Sequence, residues 1–84
     1  MPVYVVERTF AESFDPERGS LMEAEEYFEE RDVRWLTTFL SADKKKSYCL
    51  YEAESADLLI QHAQDTGFPL DSVMEVTELD IPRL

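Results

Sequence analysis

An α+β fold with the element order βαββαβ is what this chain predicts, and three observations carry it. Four stretches alternate with the period of two that a strand requires, two others repeat every three to four residues as amphipathic helices do, and turn formers separate them. That order is the split βαβ unit of the ferredoxin-like fold. Two right-handed crossings then lay both helices on one face of a four-stranded antiparallel sheet. At 84 residues the chain is read as a single domain spanning 1–84.

Val3 to Thr9 opens as a strand, with Val3, Val5 and Glu7 on one face and Tyr4, Val6 and Arg8 on the other. Phe10 to Gly19 is a connection carrying the turn formers Asp15-Pro16 and Gly19. Ser20 then starts a helix. Its hydroxyl can accept from the amide of Glu23, whose carboxylate reaches back, which is a capping box. At about 100° per residue Leu21, Ala24, Tyr27 and Phe28 share one stripe, while Glu23, Glu26 and Glu30 face away. Val33 to Ser41 is a second strand, rich in β-branched and aromatic residues. Plain alternation puts Val33, Trp35, Thr37 and Phe39 on one of its faces. Ala42-Asp43-Lys44-Lys45 turns the chain into a third strand, Lys46 to Ala53, so these two strands pair as a hairpin. Ser55 caps a second helix that runs to about Thr66, where Gly67 and Pro69 stop it. Its inward stripe is Ala56, Leu59, Ile60 and Ala63, and Val73 to Asp80 is the last strand.

Composition limits the function. Eight basic against 19 acidic side chains give a net charge of −11. Binding nucleic acid means neutralising phosphates with Lys and Arg, and this chain repels them. Anionic membrane surfaces are disfavoured for the same reason. Leu58-Leu59-Ile60, the longest aliphatic run singled out, is far too short to span a bilayer. The start Met1-Pro2-Val3-Tyr4 has no basic segment followed by an apolar one, so a secretory leader is not expected. One cysteine excludes an internal disulfide, and a reducing, cytoplasmic setting fits. Only two glycines exist, so no phosphate-cradling loop can form, and no cysteine pair is present for zinc.

In this topology one sheet face lacks a helix cover. If it carries Val5, Trp35, Phe39, Cys49, Tyr51 and Val73 it is too apolar for water. A second copy is the simplest cover, giving a homodimer of the dimeric α+β barrel type with a cavity between two sheets. Glu7, Thr37, Cys49, Tyr51 and Glu75 would point into it, a set suited to a small ligand or a metal ion. Each has a plainer reading. Glu7 and Glu75 can pair with Arg8, Arg34 or Arg83 at the rim, Cys49 can be a small buried hydrophobe, and Tyr51 and Trp35 can be packing walls. His62, the sole histidine, lies on the second helix at the border of its apolar stripe. It is either an edge residue bonded to Asp65 or a ligand for a borderline cation such as nickel or zinc. The glutamates of the first helix, Glu23, Glu25, Glu26, Glu29 and Glu30, read as a solvated face with a weak attraction for cations.

The stretches Tyr4-Val5-Val6-Glu7-Arg8-Thr9-Phe10, Val33-Arg34-Trp35-Leu36, Ser41-Ala42-Asp43-Lys44, Tyr48-Cys49-Leu50-Tyr51-Glu52-Ala53 and His62-Ala63 are similar to a bacterial family. Gly67-Phe68-Pro69 and Glu75-Val76 follow in compatible order. The chain resembles the domain of unknown function 4242 family over nearly its whole length, the Tyr-Cys-Leu-Tyr-Glu-Ala piece being the most specific. The resemblance implies a dimeric ferredoxin-like protein with a relative described as nickel-binding. Glu7, Cys49, Tyr51, His62 and Glu75 match in chemistry without mapping that relative's ligands. One departure is visible: Arg31-Asp32 stands where a glycine is expected before the second strand.

The combined expectation is a homodimer that binds nickel, another divalent metal or a small molecule. Glu7, Trp35 and Tyr51 would line the ligand site, and His62, Cys49 and Glu75 would hold the metal. The rival is an enzyme of the dimeric α+β barrel type, a monooxygenase or isomerase, with Glu7 or Glu75 as a base raised by burial. A third reading is a structural role in which the open sheet face docks another protein.

Overall fold

The structure, a computed structural model, describes residues 1–14, 24 and 26–82. The expected turn at Asp15-Pro16 and Gly19, the Ser20–Glu23 capping box, and Leu21, Glu25 and Arg83 lie outside the described residues. Strand β1 is Val3–Thr9, and helix α1 holds the helical residues 24 and 26–29. Strand β2 is Arg34–Leu40, β3 is Lys46–Glu52, helix α2 is Ala56–Thr66 and β4 is Ser72–Val76. The sheet order is β2-β3-β1-β4 with antiparallel pairing throughout, so β1 lies between β3 and β4 as the ferredoxin-like topology demands.

Both helices end in the left-handed region, by different residues. Gly67 closes α2 at φ 76°, its N–H donating to the Ala63 carbonyl. Asp32 closes α1 at φ 55°. The Val33 N–H reaches the Phe28 carbonyl at 2.9 Å and the Asp32 N–H that of Glu29 at 3.3 Å, which is the Schellman pair of bonds. The aspartate therefore takes the backbone role expected of glycine. Ser55 stands at the N-cap of α2 in extended conformation, without a side-chain cap bond.

The register shows which side chains share a face. Tyr4, Val6 and Arg8 of β1 lie opposite Tyr51, Cys49 and Ser47 of β3, and all six are buried on the helix side. Val3, Val5 and Glu7 lie opposite Glu52, Leu50 and Tyr48 on the open side. This corrects the expected face for Cys49 and Tyr51. On β1 and β3 both faces are apolar at mid-strand, so alternation separates the faces without saying which one the helices cover.

Strand β2 departs for a second reason. A bulge lies between Trp35 and Thr37: Trp35 opposes Tyr51, yet Thr37 opposes Leu50. The extra residue, Leu36, reverses the alternation at that point. Trp35 turns to the helix side, while Thr37 and Phe39 stay on the open side as expected. The Trp35 Nε1–H donates to Thr38 Oγ1 at 2.7 Å, and the Thr38 hydroxyl donates to Cys49 Sγ at 3.2 Å, bracing the irregularity. On β4, Val73 opposes Val6 and Glu75 opposes Tyr4, so these two also leave the open face.

The core lies between sheet and helices, with Val6, Phe28, Ala53 and Leu59 almost fully enclosed. On α2 the buried residues are Leu59, His62 and Ala63. His62 is therefore a core residue, and Ile60, expected in the stripe, is exposed.

Candidate functional site

Between the helix side of the sheet and the two helices lies a cavity of about 260 Å³. Its sheet wall is built by Arg8, Ser47, Cys49 and Tyr51 from the two central strands, with Trp35 and Thr38 from β2. Phe28 of α1 and His62 of α2 face them, their ring centroids 4.3 Å apart. Phe28 also lies 4.9 Å from Tyr51, and Tyr51 is stacked 6.2 Å from Trp35. A second aromatic group lines the cavity as well: Phe10 and Phe14 stack at 4.4 Å, and Phe68 meets Phe14 edge-on. The Phe10 and Phe14 amides donate to the Lys45 and Lys44 carbonyls, each at 2.7 Å, which ties this segment to the β2–β3 turn.

Two polar groups stand out in this apolar space. Arg8 is only 5% exposed and His62 only 3%, and Arg8 Nη1 and His62 Nδ1 have no hydrogen-bond partner among the described residues. Unsatisfied buried polar atoms are rare in folded proteins and each calls for a reason. No carboxylate is among the described lining residues, in a chain with 19 acidic side chains. The Arg8 charge has its effect on its neighbours. Burial, and after it the Arg8 guanidinium, lower His62 to about pKa 4 against an opposing pull from Asp65. His62 is thus a neutral imidazole at pH 7. Burial, followed by the Cys49 sulfur, pushes the Tyr51 phenol well up, so it stays a hydroxyl.

The expected site residues separate into two groups. Trp35, Cys49, Tyr51 and His62 meet in the cavity. Glu7 is on the opposite side of the sheet, bound to Lys46 Nζ at 2.9 Å rather than to Arg8 or Arg34. Glu75 is exposed on the edge strand β4 and reaches neither group. The expected enclosure of Glu7 and Glu75 with Cys49 and Tyr51 in one space is therefore overturned. Paired with Lys46, Glu7 does not sit among Trp35 and Tyr51 as a buried base would. His62 does not bond Asp65 either: that carboxylate accepts from the Tyr27 hydroxyl at 2.6 Å and from Gln61 Nε2 at 2.8 Å. These bonds, Tyr27 first, hold Asp65 below the ordinary carboxylate range and raise the Tyr27 phenol.

Sequence reasoning missed the part played by Arg8, Ser47, Thr38, Phe28 and Phe68. One signal was present: Arg8 follows Tyr4 and Val6 on a single parity, which puts a cation at the end of an apolar row.

The donors do not fit a nickel ion within one chain. His62 Nδ1 and Cys49 Sγ are the soft donors of the cavity, and the guanidinium beside them opposes a dication. Among the described residues no three His, Cys, Asp or Glu side chains gather around a common point.

The structure thus presents a half-open, largely apolar hollow with a few polar groups on a small ferredoxin-like scaffold. Residues 4–76 match the family described as "Nickel responsive protein SCO4226-like", and the chain belongs to that family. Its agreement with the resemblance lies in the link to nickel; the name of the family is a different one. Among solved structures, SCO4226 from Streptomyces coelicolor A3(2) superposes with a TM-score of 0.69 at 16% identity. The likeness covers 93% of this chain and 99% of that one, and shows the fold. No curated protein matches the chain. No helix among the described residues is long and apolar enough to cross a membrane.

Proposed function

We propose that this chain is a small-ligand-binding protein of the nickel responsive family, cytoplasmic and homodimeric, whose ligand occupies the cavity between sheet and helices. The observation that carries the reading is the coincidence of hollow and orphaned polar atoms: about 260 Å³ of space beside Arg8 Nη1 and His62 Nδ1. A dry cavity of about 150 Å³ already holds benzene in another protein, so this one has room for a substituted ring. Trp35, the sole tryptophan, lines the cavity and serves as a built-in reporter. Titration with ring-sized compounds should change its emission saturably. A panel of such compounds that leaves the emission unchanged would remove the cavity as a ligand site.

The open sheet face supports the dimer. Phe39 and Met74 are 62% and 61% exposed there, flanked by Tyr48, Leu50 and Val5. Its charges are paired, Lys46 with Glu7 at 2.9 Å and Arg34 with Glu52 at 3.4 Å. The face is thus largely apolar with its mid-strand charges paired, Asp71 bound to Thr9 adding a carboxylate at its rim, in a chain of net charge −11. Elsewhere two copies repel one another; here they meet with less of that penalty. Nickel comes to this reading from the family. His62 and Cys49 lie on the helix side, away from the open face through which two copies meet, so an ion shared by the dimer would take its ligands from that open face.

A further inference from the structure

We infer that the cavity takes a small organic monoanion, a carboxylate on an aromatic or compact aliphatic body, with the Arg8 guanidinium as its counter-charge. This deepens the ligand-site reading above and rests on it. A buried cation needs a partner, because removing its water without replacement costs several kcal/mol. The lining residues described provide none: hydroxyls, a thiol, a neutral imidazole and aromatic rings, but no carboxylate. Arg8 is absent from the ion pairs among the described residues, which join Arg31 with Glu30, Arg34 with Glu52 and Lys46 with Glu7. A carboxylate brought by a ligand fills that gap with the planar fork geometry that guanidinium favours.

The other walls narrow the class. Phe28, Trp35 and Tyr51 offer flat apolar surfaces to a ring or a short branched chain. The volume of about 260 Å³ matches a ring-sized or compact body better than a long acyl chain or a nucleotide. A phosphate dianion is disfavoured, since one guanidinium faces it in an apolar space and the chain carries a net charge of −11. With neutral His62 and the Tyr51 and Ser47 hydroxyls nearby, a single negative charge is what the site can balance.

The test uses the intact protein at pH 7 with benzoate, and with benzamide and benzyl alcohol as neutral shapes of the same size, followed by Trp35 emission and by calorimetry. The expected result is that benzoate binds about 10- to 100-fold more tightly than either neutral compound, the range for a buried charge-assisted bond. Arg8→Met should abolish this preference, with neutral compounds binding as well as or better than benzoate. Arg8→Lys, which keeps the charge and loses the fork, should retain part of it. Neutral compounds that bind the unaltered protein as tightly as benzoate overturn the anion assignment while leaving the cavity a ligand site. Silence from all three compounds overturns both. The comparison within the unaltered protein decides the matter even where a variant does not fold.

Discussion

Acidification should weaken the fold through His62, in a window its burial defines. In the folded chain His62 titrates near 4, against about 6.5 in an unfolded one. Above pH 6.5 both forms are neutral and nothing is lost. Below it the unfolded chain takes a proton that the folded chain refuses, until about pH 4, where both accept it. At about 1.4 kcal/mol per pH unit this window removes about 3 kcal/mol, of which about 2 is gone by pH 5. The groups facing the imidazole are Arg8 from β1, Tyr51 from β3, Tyr27 from α1, Arg31 beyond it, and Asp65 on its own helix. Asp65 and Asp43, both held below the ordinary range of 3.8, lose their contribution only as pH falls through and below that value. Measurements between pH 7 and 4.5 therefore isolate the histidine. Urea unfolding, read by Trp35 emission, should be compared with His62→Leu, which keeps the bulk and cannot titrate. The overall relief of repulsion as carboxylates protonate is common to both proteins and cancels in their difference. A stability difference between the two that stays flat across the window would refute the account.

Other outcomes follow from single contacts. Asp32→Gly should stabilise the protein by up to about 1 kcal/mol, because glycine holds φ 55° without the strain of a side chain. Gly67→Ala should cost about 1 kcal/mol from the backbone alone, since an added Cβ there meets nothing within 4 Å; denaturant midpoints check both signs. Thr38→Val removes the bonds to Trp35 and Cys49 and should cost about 1–2 kcal/mol, with a shift in Trp35 emission as the local reporter.

The fold was legible because its signals repeat at every level. Alternation on β1 and β3, the Gly67-Phe68-Pro69 stop and the polar turn at residues 42–45 all agree with the structure. The site was legible only in part. Trp35, Cys49, Tyr51 and His62 do come together, though on the side of the sheet away from Glu7. Alternation has a mirror ambiguity: Tyr4 and Val6 are as apolar as Val3 and Val5, and Tyr48 and Leu50 as apolar as Cys49 and Tyr51. Helix cover decides between the faces, and strand sequence alone does not state it. The bulge at Leu36 adds a second ambiguity, since one extra residue exchanges the faces of everything beyond it. Arg8 does not break the tie, since Glu7 ends the other row with a charge as well. A cation at the end of the Tyr4-Val6 row reads as a rim residue, whereas the structure buries it under the helices.

The two sides of the sheet therefore divide the chemistry, and one experiment separates them. The helix side holds the only histidine and the only cysteine, both beside a guanidinium, so it favours an anion and resists a dication. In the proposed dimer, a nickel ion shared by two copies would take its ligands from the open face, so its binding would depend on that contact. Phe39→Asp, or Met74→Asp, puts an uncompensated charge into the apolar centre of the proposed contact and should raise the dissociation constant of the proposed dimer by about tenfold or more, seen by sedimentation over a concentration series. Under conditions where that variant is monomeric, equilibrium dialysis should show nickel binding lost, while benzoate still shifts Trp35 emission as in the unaltered protein. Nickel held equally well by the monomer would break that dependence. Benzoate lost together with the dimer would mean that the cavity is not complete in one chain.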